Sequence, residues 1–178
     1  MASAPQAAQL PLFYKDLMPL NSRDHAEWQS KTTENATWMV GQHAVPLTVE
    51  EFPQAARHFP IIFASGENPV PLALMGLNEG INVFVDAEGN VAPGAYVPAY
   101  ARRYPFLLAK LTPDTTDLSL CFDPTAPNVG AFDEGDLLIG DDGAPTDMTK
   151  ELLSFTEQFE QSARRTTQFM VDLVETGL

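Results

Sequence analysis

Residues 146–177 read TDMTKELLSFTEQFEQSARRTTQFMVDLVETG, and this segment decides the fold class. Its apolar and small side chains recur at alternating spacings of three and four, which places them on one face of an α-helix. Thirty helical residues would span about 45 Å. The spacing predicts either one amphipathic helix or two helices in series. The recurring positions are Met148, Leu152, Phe155, Phe159, Ser162, Thr166, Phe169 and Leu173.

The residues before this segment follow a different pattern. Short β-prone runs such as PIIFA (60–64), VPLALMGL (70–77) and INVFVD (81–86) alternate with tight turns. Runs of this length with turn residues between them are typical of an antiparallel sheet. One helix is predicted among these strands, over residues 49–58. Thr48 and Glu51 form the capping-box pattern that marks its start.

Together these patterns predict an α+β fold. It consists mainly of an antiparallel sheet of short strands, with one short internal helix and a long amphipathic C-terminal helical segment. We expect residues 1–9 to be a flexible terminus and residues 10–178 to be a single domain, mostly β over 10–145 and helical over 146–177. A chain of 178 residues can bury a core without disulfides, and its one cysteine, Cys121, excludes an intrachain disulfide.

The charge of the chain limits its partners. It has 24 Asp and Glu residues against 10 Lys and Arg residues, a formal net charge of −14. Such a surface repels phosphate backbones and anionic membranes, so we expect no nucleic acid and no membrane as partner. No apolar run approaches the roughly 18 residues of a membrane span, and the N-terminus has no basic region of a secretory signal. We therefore expect a soluble, cytoplasmic protein.

One segment, YVPAYARRYPFLLAKL (96–111), concentrates basic and aromatic residues within this acidic chain. We predict a strand here, in which the neighbours Arg102 and Arg103 point to opposite faces. Guanidinium groups bind carboxylates and phosphates and stack on aromatic rings. The segment therefore predicts a binding surface for an anionic group. The alternative is that the inward arginine pairs with a structural carboxylate. The predicted binding residues are Arg102, Arg103, Tyr100, Tyr104 and Phe106.

No residue set matches a motif for catalysis or for metal binding. The serines lie outside a G-x-S-x-G context, and Cys121 has no basic neighbour in the sequence. The acidic run FDEGDLLIGDDG (132–143) lacks the spacing of an EF-hand. An iron site built from His25, Glu27 and a distant histidine is a formal alternative. We predict no catalytic residues, no metal and no cofactor.

Several segments of the sequence resemble those of the SapC family. They are PLNSRDHAEW (19–28), HAVPLTVEEFPQAARHFPIIF (43–63), LMGLNEGINVFVDAEGNV (74–91), YVPAYARRYPF (96–106), LLIGDDGAPTDMTKELLSF (137–155) and ARRTTQFMVDL (163–173). The resemblance implies a soluble bacterial protein, and members are often encoded near flavin-dependent halogenase-like proteins and outer-membrane receptors. It transfers no catalytic residue to this chain.

Two functional hypotheses follow from the sequence. The first is a non-enzymatic binding or accessory protein, which uses the Arg-aromatic strand to hold another protein or an anionic small molecule. The alternative is a small-molecule-modifying enzyme that acts alongside flavin-dependent halogenase-like proteins through an unrecognised active site. The lack of nucleophile, metal and phosphate motifs favours the first hypothesis. The C-terminal helix is in addition predicted to offer a surface for homo-oligomerisation.

Overall fold

The computed structural model describes residues 10–66, 69–112 and 114–177. The predicted flexible terminus, residues 1–9, lies outside the described residues. The described residues contain short strands, two four-residue α-helices and one long helix. The strands are β1 (Met18–Pro19), β2 (Trp28–Ser30), β3 (Ala44–Pro46), β4 (Ile61–Phe63), β5 (Pro71–Leu74), β6 (Phe106–Ala109), β7 (Ser119–Phe122), β8 (Val129–Ala131) and β9 (Asp136–Leu137). The α-helices are α1 (Phe52–Ala55), α2 (Ala99–Arg102) and α3 (Asp147–Glu175).

The strands form three antiparallel sheets of three strands each within the described part of the chain. Their strand orders are β1-β7-β6, β8-β2-β9 and β3-β5-β4. The predicted α+β fold, with short antiparallel strands and a long C-terminal helix, is confirmed. Pro19 lies on the edge strand β1, where its missing N–H breaks no ladder between two neighbours.

The sheet β1-β7-β6 is buried on both faces. Side chains alternate between the two faces of a strand. Leu107 and Cys121 therefore pack with Tyr14 on one face. Phe106 and Phe122 pack with β8 and α3 residues on the other. Cys121 lies in a strand and is buried, and burial raises the pKa of its thiol, so it stays a neutral side chain of the core.

The sheet β3-β5-β4 is buried on one face only. Val45 and Ala73 are fully buried, whereas Ile62 and Phe63 of β4 are exposed. The strand predicted for residues 81–86 is absent, apart from one bridge between Val85 and Val91. The Asn82 side chain accepts a hydrogen bond from the Phe84 N–H at 2.9 Å, and this local bond replaces a strand pairing.

The internal helix is shorter than the sequence predicts. A 3₁₀ turn over Val49–Glu51 leads into α1, which ends at Ala55 rather than near His58. The capping box is confirmed, since the Thr48 N–H donates to Glu51 Oε2 at 2.8 Å. Pro60 follows closely, and a proline disfavours helical geometry in the residue before it.

The C-terminal segment is one helix, α3, of 29 residues. It begins after Thr146, whose hydroxyl accepts a hydrogen bond from the Thr149 N–H. It packs along β6 and the 3₁₀ turn at Val49–Glu51. The aromatic residues of the predicted apolar face are only half-buried. The side chains buried deepest are Thr149, Thr156, Thr166 and Met170.

Candidate functional site

The prediction of a strand through Arg102 and Arg103 is wrong. Residues 99–102 form α2, Arg103 caps it, and strand β6 begins only at Phe106. Ala99 and Ala101 favour a helix, and the Pro98 carbonyl accepts from the N–H groups of Ala101 and Arg102. Consecutive helical residues differ by about 100° around the axis, so the two arginines still have different surroundings.

A buried carboxylate, Glu51, holds α2 in place. Its Oε1 accepts from the Ala99 N–H at 2.7 Å and from the Tyr96 hydroxyl at 2.9 Å. Its Oε2 accepts from the Thr48 N–H and hydroxyl at 2.8 and 2.9 Å. Four donors satisfy the carboxylate, which is how a buried charge is tolerated. Glu51 therefore joins the 3₁₀ turn to the start of α2.

Arg102 lies on the surface beside this junction. Its Nε donates to the Val97 carbonyl at 3.1 Å and its Nη2 donates to the Tyr96 hydroxyl at 3.3 Å. The guanidinium carbon is 5.8 Å from the ring centroid of Tyr96 and 5.4 Å from that of Phe155. These distances fit cation–π contacts. Arg102 is thus held in one orientation while its outer edge faces solvent.

Arg103 lies in the interior, with only 8% of its surface exposed. Its guanidinium carbon is 4.3 Å from the ring centroids of both Tyr100 and Phe159, so the group lies between two rings. Its Nη1 forms an ion pair with Glu160 of α3 at 3.4 Å. Its Nε has no hydrogen-bond partner. Arg103 therefore connects α2 to α3 mainly through ring contacts.

Tyr104 and Phe106 lie in the interior together with Arg103, and Tyr100 lies at the edge of the interior. Tyr104 and Phe106 are 8% and 3% exposed, and Tyr100 is half-buried. The Tyr104 hydroxyl donates to the fully buried carboxylate of Asp123 at 3.3 Å. Burial, and then the charge of Asp123, raises the pKa of Tyr104 to about 12. The structure therefore separates the five predicted residues, and leaves Arg102 as the exposed one.

The carboxylate of Asp123 has further donors. Backbone N–H groups of Lys15 and Thr125 donate to it at 2.8 Å, and the Thr125 hydroxyl donates at 2.7 Å. Burial by itself raises the pKa of Asp123, but these hydrogen bonds outweigh it and hold the pKa below its ordinary value. Tyr104 and Asp123 therefore form a structural hydrogen-bond network in the interior.

A surface crevice of about 250 Å³ is lined by Tyr96 and Phe155, the two rings that Arg102 contacts, while Arg102 itself lies outside the lining. Burial and the hydrogen bond to Glu51 raise the pKa of Tyr96 at its base, so that hydroxyl stays neutral. Glu50, at the rim, forms an ion pair with Arg165 of α3. The other lining residues are the hydrogen-bonded carboxylate Glu51, Ala99, and a set of amides, hydroxyls and rings: Gln54, Gln158, Thr48, Ser162, Phe155 and Phe159.

Sequence reasoning missed three residues of this site. Glu51 was recognised only as a helix cap, and nothing in its spacing indicates that it reaches Ala99. Tyr96 belongs to the segment 96–111. Its contact with Arg102 depends on helix α2, whereas the sequence predicted a strand there. Phe155 comes from α3, about fifty positions away in the sequence. A tertiary contact between such distant positions leaves no local signal.

The histidines considered as iron ligands do not form a metal-binding group within the described residues. Within the described residues, no three His, Cys, Asp or Glu side chains are grouped closely enough to hold a metal ion. His25 is buried, its Nδ1 accepts from the Asn21 N–H at 3.1 Å, and its ring contacts Trp28 and Phe122. His58 lies against the Tyr96 ring. These histidines are packing residues in this fold.

None of the described helices, including the 29-residue α3, is long and apolar enough to cross a bilayer. The outer face of α3 carries charged residues along its length. Most of its apolar positions face the sheets and the grooves beside them, whereas Val171 and Val174 are exposed.

One family model matches nearly the whole chain. The family model described as SapC matches residues 20–178. This range includes every element from β2 to α3, and with them Arg102, Tyr96, Glu51 and Phe155. No curated protein and no solved structure matches the chain.

Proposed function

The chain belongs to the SapC family, and from that premise we propose that it is a non-enzymatic binding protein whose Arg102 surface holds an anionic group of a protein partner. The observation that carries the proposal is the environment of Arg102. It is an exposed guanidinium, fixed in orientation, without an ion-pair partner among the described residues. In a chain of net charge −14, an arginine without an internal carboxylate is available to an external one.

The nearby acids do not compete for Arg102. Glu51 is saturated by four hydrogen-bond donors, and Glu50 is paired with Arg165. A guanidinium has five N–H donors. Two of those of Arg102 are used, by Val97 and Tyr96. Three donors therefore remain for a ligand, which is enough for the paired contacts that arginine makes with a carboxylate.

The orientation of Arg102 favours binding. A free arginine side chain loses about 2 kcal/mol of rotamer entropy when it is fixed. Here the two rings and two hydrogen bonds have already fixed much of it, so a ligand meets a preorganised group.

The size of the crevice favours a protein partner over a small-molecule substrate. Ligand pockets typically enclose about 300–1,000 Å³. This crevice has about 250 Å³ and is open to solvent, which suits one or two side chains of a larger partner. An acidic residue followed by an apolar one fits it, because the carboxylate would meet Arg102 while the apolar group contacts Phe155.

The test compares two probes of different size. Fluorescently labelled peptides with the core Glu-Leu-Glu-Leu should bind the parent chain, and free glutarate should compete only weakly. Arg102→Ala should weaken peptide binding at least about tenfold, and Arg102→Lys should restore only part, because lysine lacks the planar fork.

The matched control is Arg23→Ala, which removes an exposed arginine near β1 and should leave peptide binding unchanged. Equal affinity of the parent chain and Arg102→Ala would overturn the proposal. Tighter binding of glutarate than of the peptide would assign the site to a small molecule and would likewise overturn it.

A further inference from the structure

The outer face of the last three turns of α3 combines exposed apolar residues with unpaired charges. Val171 and Val174 are 47% and 53% exposed, and Val70 beside them is 41% exposed. They border a groove of about 250 Å³, whose other lining residues are Pro69, Thr167, Met170 and Glu175. Arg164 and Glu175 lie at the two ends of this face, and the exposed Asp172 lies beside it.

We propose that this face binds a second copy of the same chain, with the two α3 helices antiparallel about a two-fold axis. The contact does not involve Arg102 or its crevice, so it goes beyond the function proposed above. A two-fold interface needs a surface that is complementary to itself. If residue i of one copy contacts residue j of the other, then residue j of the first copy contacts residue i of the second. The C-terminal part of α3 meets that condition in its charge.

The charges are complementary in the antiparallel orientation. Arg164 and Glu175 are eleven positions apart, which is about three helical turns, so they lie on the same side of α3. An axis level with the stretch between Gln168 and Val171 brings Arg164 of one copy opposite Glu175 of the other. The symmetry makes the same pair twice. Neither residue forms an ion pair among the described residues.

The helix dipole favours the same arrangement. The last turn of α3 contains no basic residue, although it carries Glu175. A negative charge is unfavourable at a helix C-terminus, where the aligned peptide dipoles are already negative. Arg164 of the second copy would place a positive charge there, and the contact would compensate an unfavourable feature of the single chain.

The apolar residues lie between the two ion pairs. Thr167, Val171 and Val174 follow at spacings of four and three, the pattern of a helix-pairing stripe. With the axis between residues 169 and 170, Val171 of one copy lies opposite Gln168 of the other, next to Thr167 of the facing groove. The charged ends then fix the register, since a shift of one turn would separate Arg164 from Glu175.

The test is sedimentation equilibrium of the full chain from about 5 to 500 µM in low salt. The parent chain should show a monomer–dimer equilibrium that weakens in 0.5 M salt, because salt screens exposed charges. Arg164→Glu places Glu opposite Glu175, and Glu175→Arg places Arg opposite Arg164. Each single variant should raise the dimer dissociation constant at least about tenfold, and the double variant should restore it.

Two control variants separate the contact from net charge. Arg23→Glu and Glu79→Arg make the same charge changes at exposed sites on other elements, and both should dimerise like the parent. All these positions are exposed, so at concentrations well below the dimer dissociation constant the variants should melt at the parent's temperature. A parent chain that stays monomeric, open-ended assembly, or a double variant no tighter than the singles would each overturn the proposal.

Discussion

The interior and surface sides of helix α2 differ although their central residues are adjacent and identical. Arg103 lies between the rings of Tyr100 and Phe159 and pairs with Glu160. Arg102 also contacts two rings, but it is exposed and has no carboxylate partner among the described residues. Cation–π contacts alone therefore do not determine whether an arginine stabilises the fold or binds a ligand. Burial and the presence of a partner decide whether an arginine maintains the fold or is available to a ligand.

The largest expected effect is on the interior side. Arg103→Ala should lower the free energy of unfolding by about 3 kcal/mol, because it leaves a cavity between two rings and removes the partner of Glu160. The partial exposure of Glu160 keeps the loss at the lower end of the range for buried pairs. Urea unfolding measures it. Arg103→Met, which retains an apolar stem, should recover part of the loss.

The two arginine variants together decide whether the comparison holds. If Arg102→Ala and Arg103→Ala lowered the unfolding midpoint equally, the distinction between an interior and a surface arginine would be refuted. The whole segment would then be structural.

The next largest effects concern Phe159 and Phe155, the α3 rings that contact Arg103 and Arg102. Phe159→Ala should cost about 2 kcal/mol, since its ring contacts both Arg103 and Tyr100. Phe155→Ala should cost only about 1 kcal/mol, because its ring is half-buried and lies beneath the exposed Arg102. Thermal melting of the two variants in parallel measures the difference. A larger loss in Phe155→Ala would mean that the surface side also stabilises the fold.

The third effect depends on pH. Folding raises the pKa of Tyr104 to about 12, from an ordinary value of about 10. The neutral hydroxyl is therefore favoured in the folded state, and its contribution is complete below about pH 10 and is lost as the pH rises toward 12. Tyr104→Phe should cost about 1 kcal/mol at pH 8 and should make stability fall less steeply between pH 10 and 11. Urea unfolding at pH 8, 10 and 11 tests this, and parallel curves for parent and variant would contradict it.

The smallest expected effect on stability is at the surface. Arg102→Ala should change the free energy of unfolding by no more than about 0.5 kcal/mol, as is usual for an exposed residue without a buried partner. Differential scanning calorimetry of the parent and the variant checks it. A loss of several degrees in melting temperature would show that the contacts with Tyr96 and Phe155 stabilise the fold rather than orient a ligand-binding group.

The sequence by itself determined the elements that depend on local or periodic signals. The three-four spacing predicted α3, and Thr48 with Glu51 predicted the capping box, because these patterns act within one or two turns of the chain. Short β-prone runs predicted the antiparallel strands β4 and β5. The quoted phrases also identified the family, since they extend over most of residues 20–178.

The tertiary structure alone decided how these elements combine. It converted the predicted strand at Arg102 and Arg103 into a helix, because Glu51, far away in the sequence, accepts the Ala99 N–H. It also made threonines the deepest side chains of α3, since their hydroxyls find backbone partners such as the Leu138 carbonyl and the Val49 N–H. Periodicity identifies apolar faces, but a hydrogen bond between distant positions has no local pattern. The residues around Arg102 therefore came together only in the folded chain.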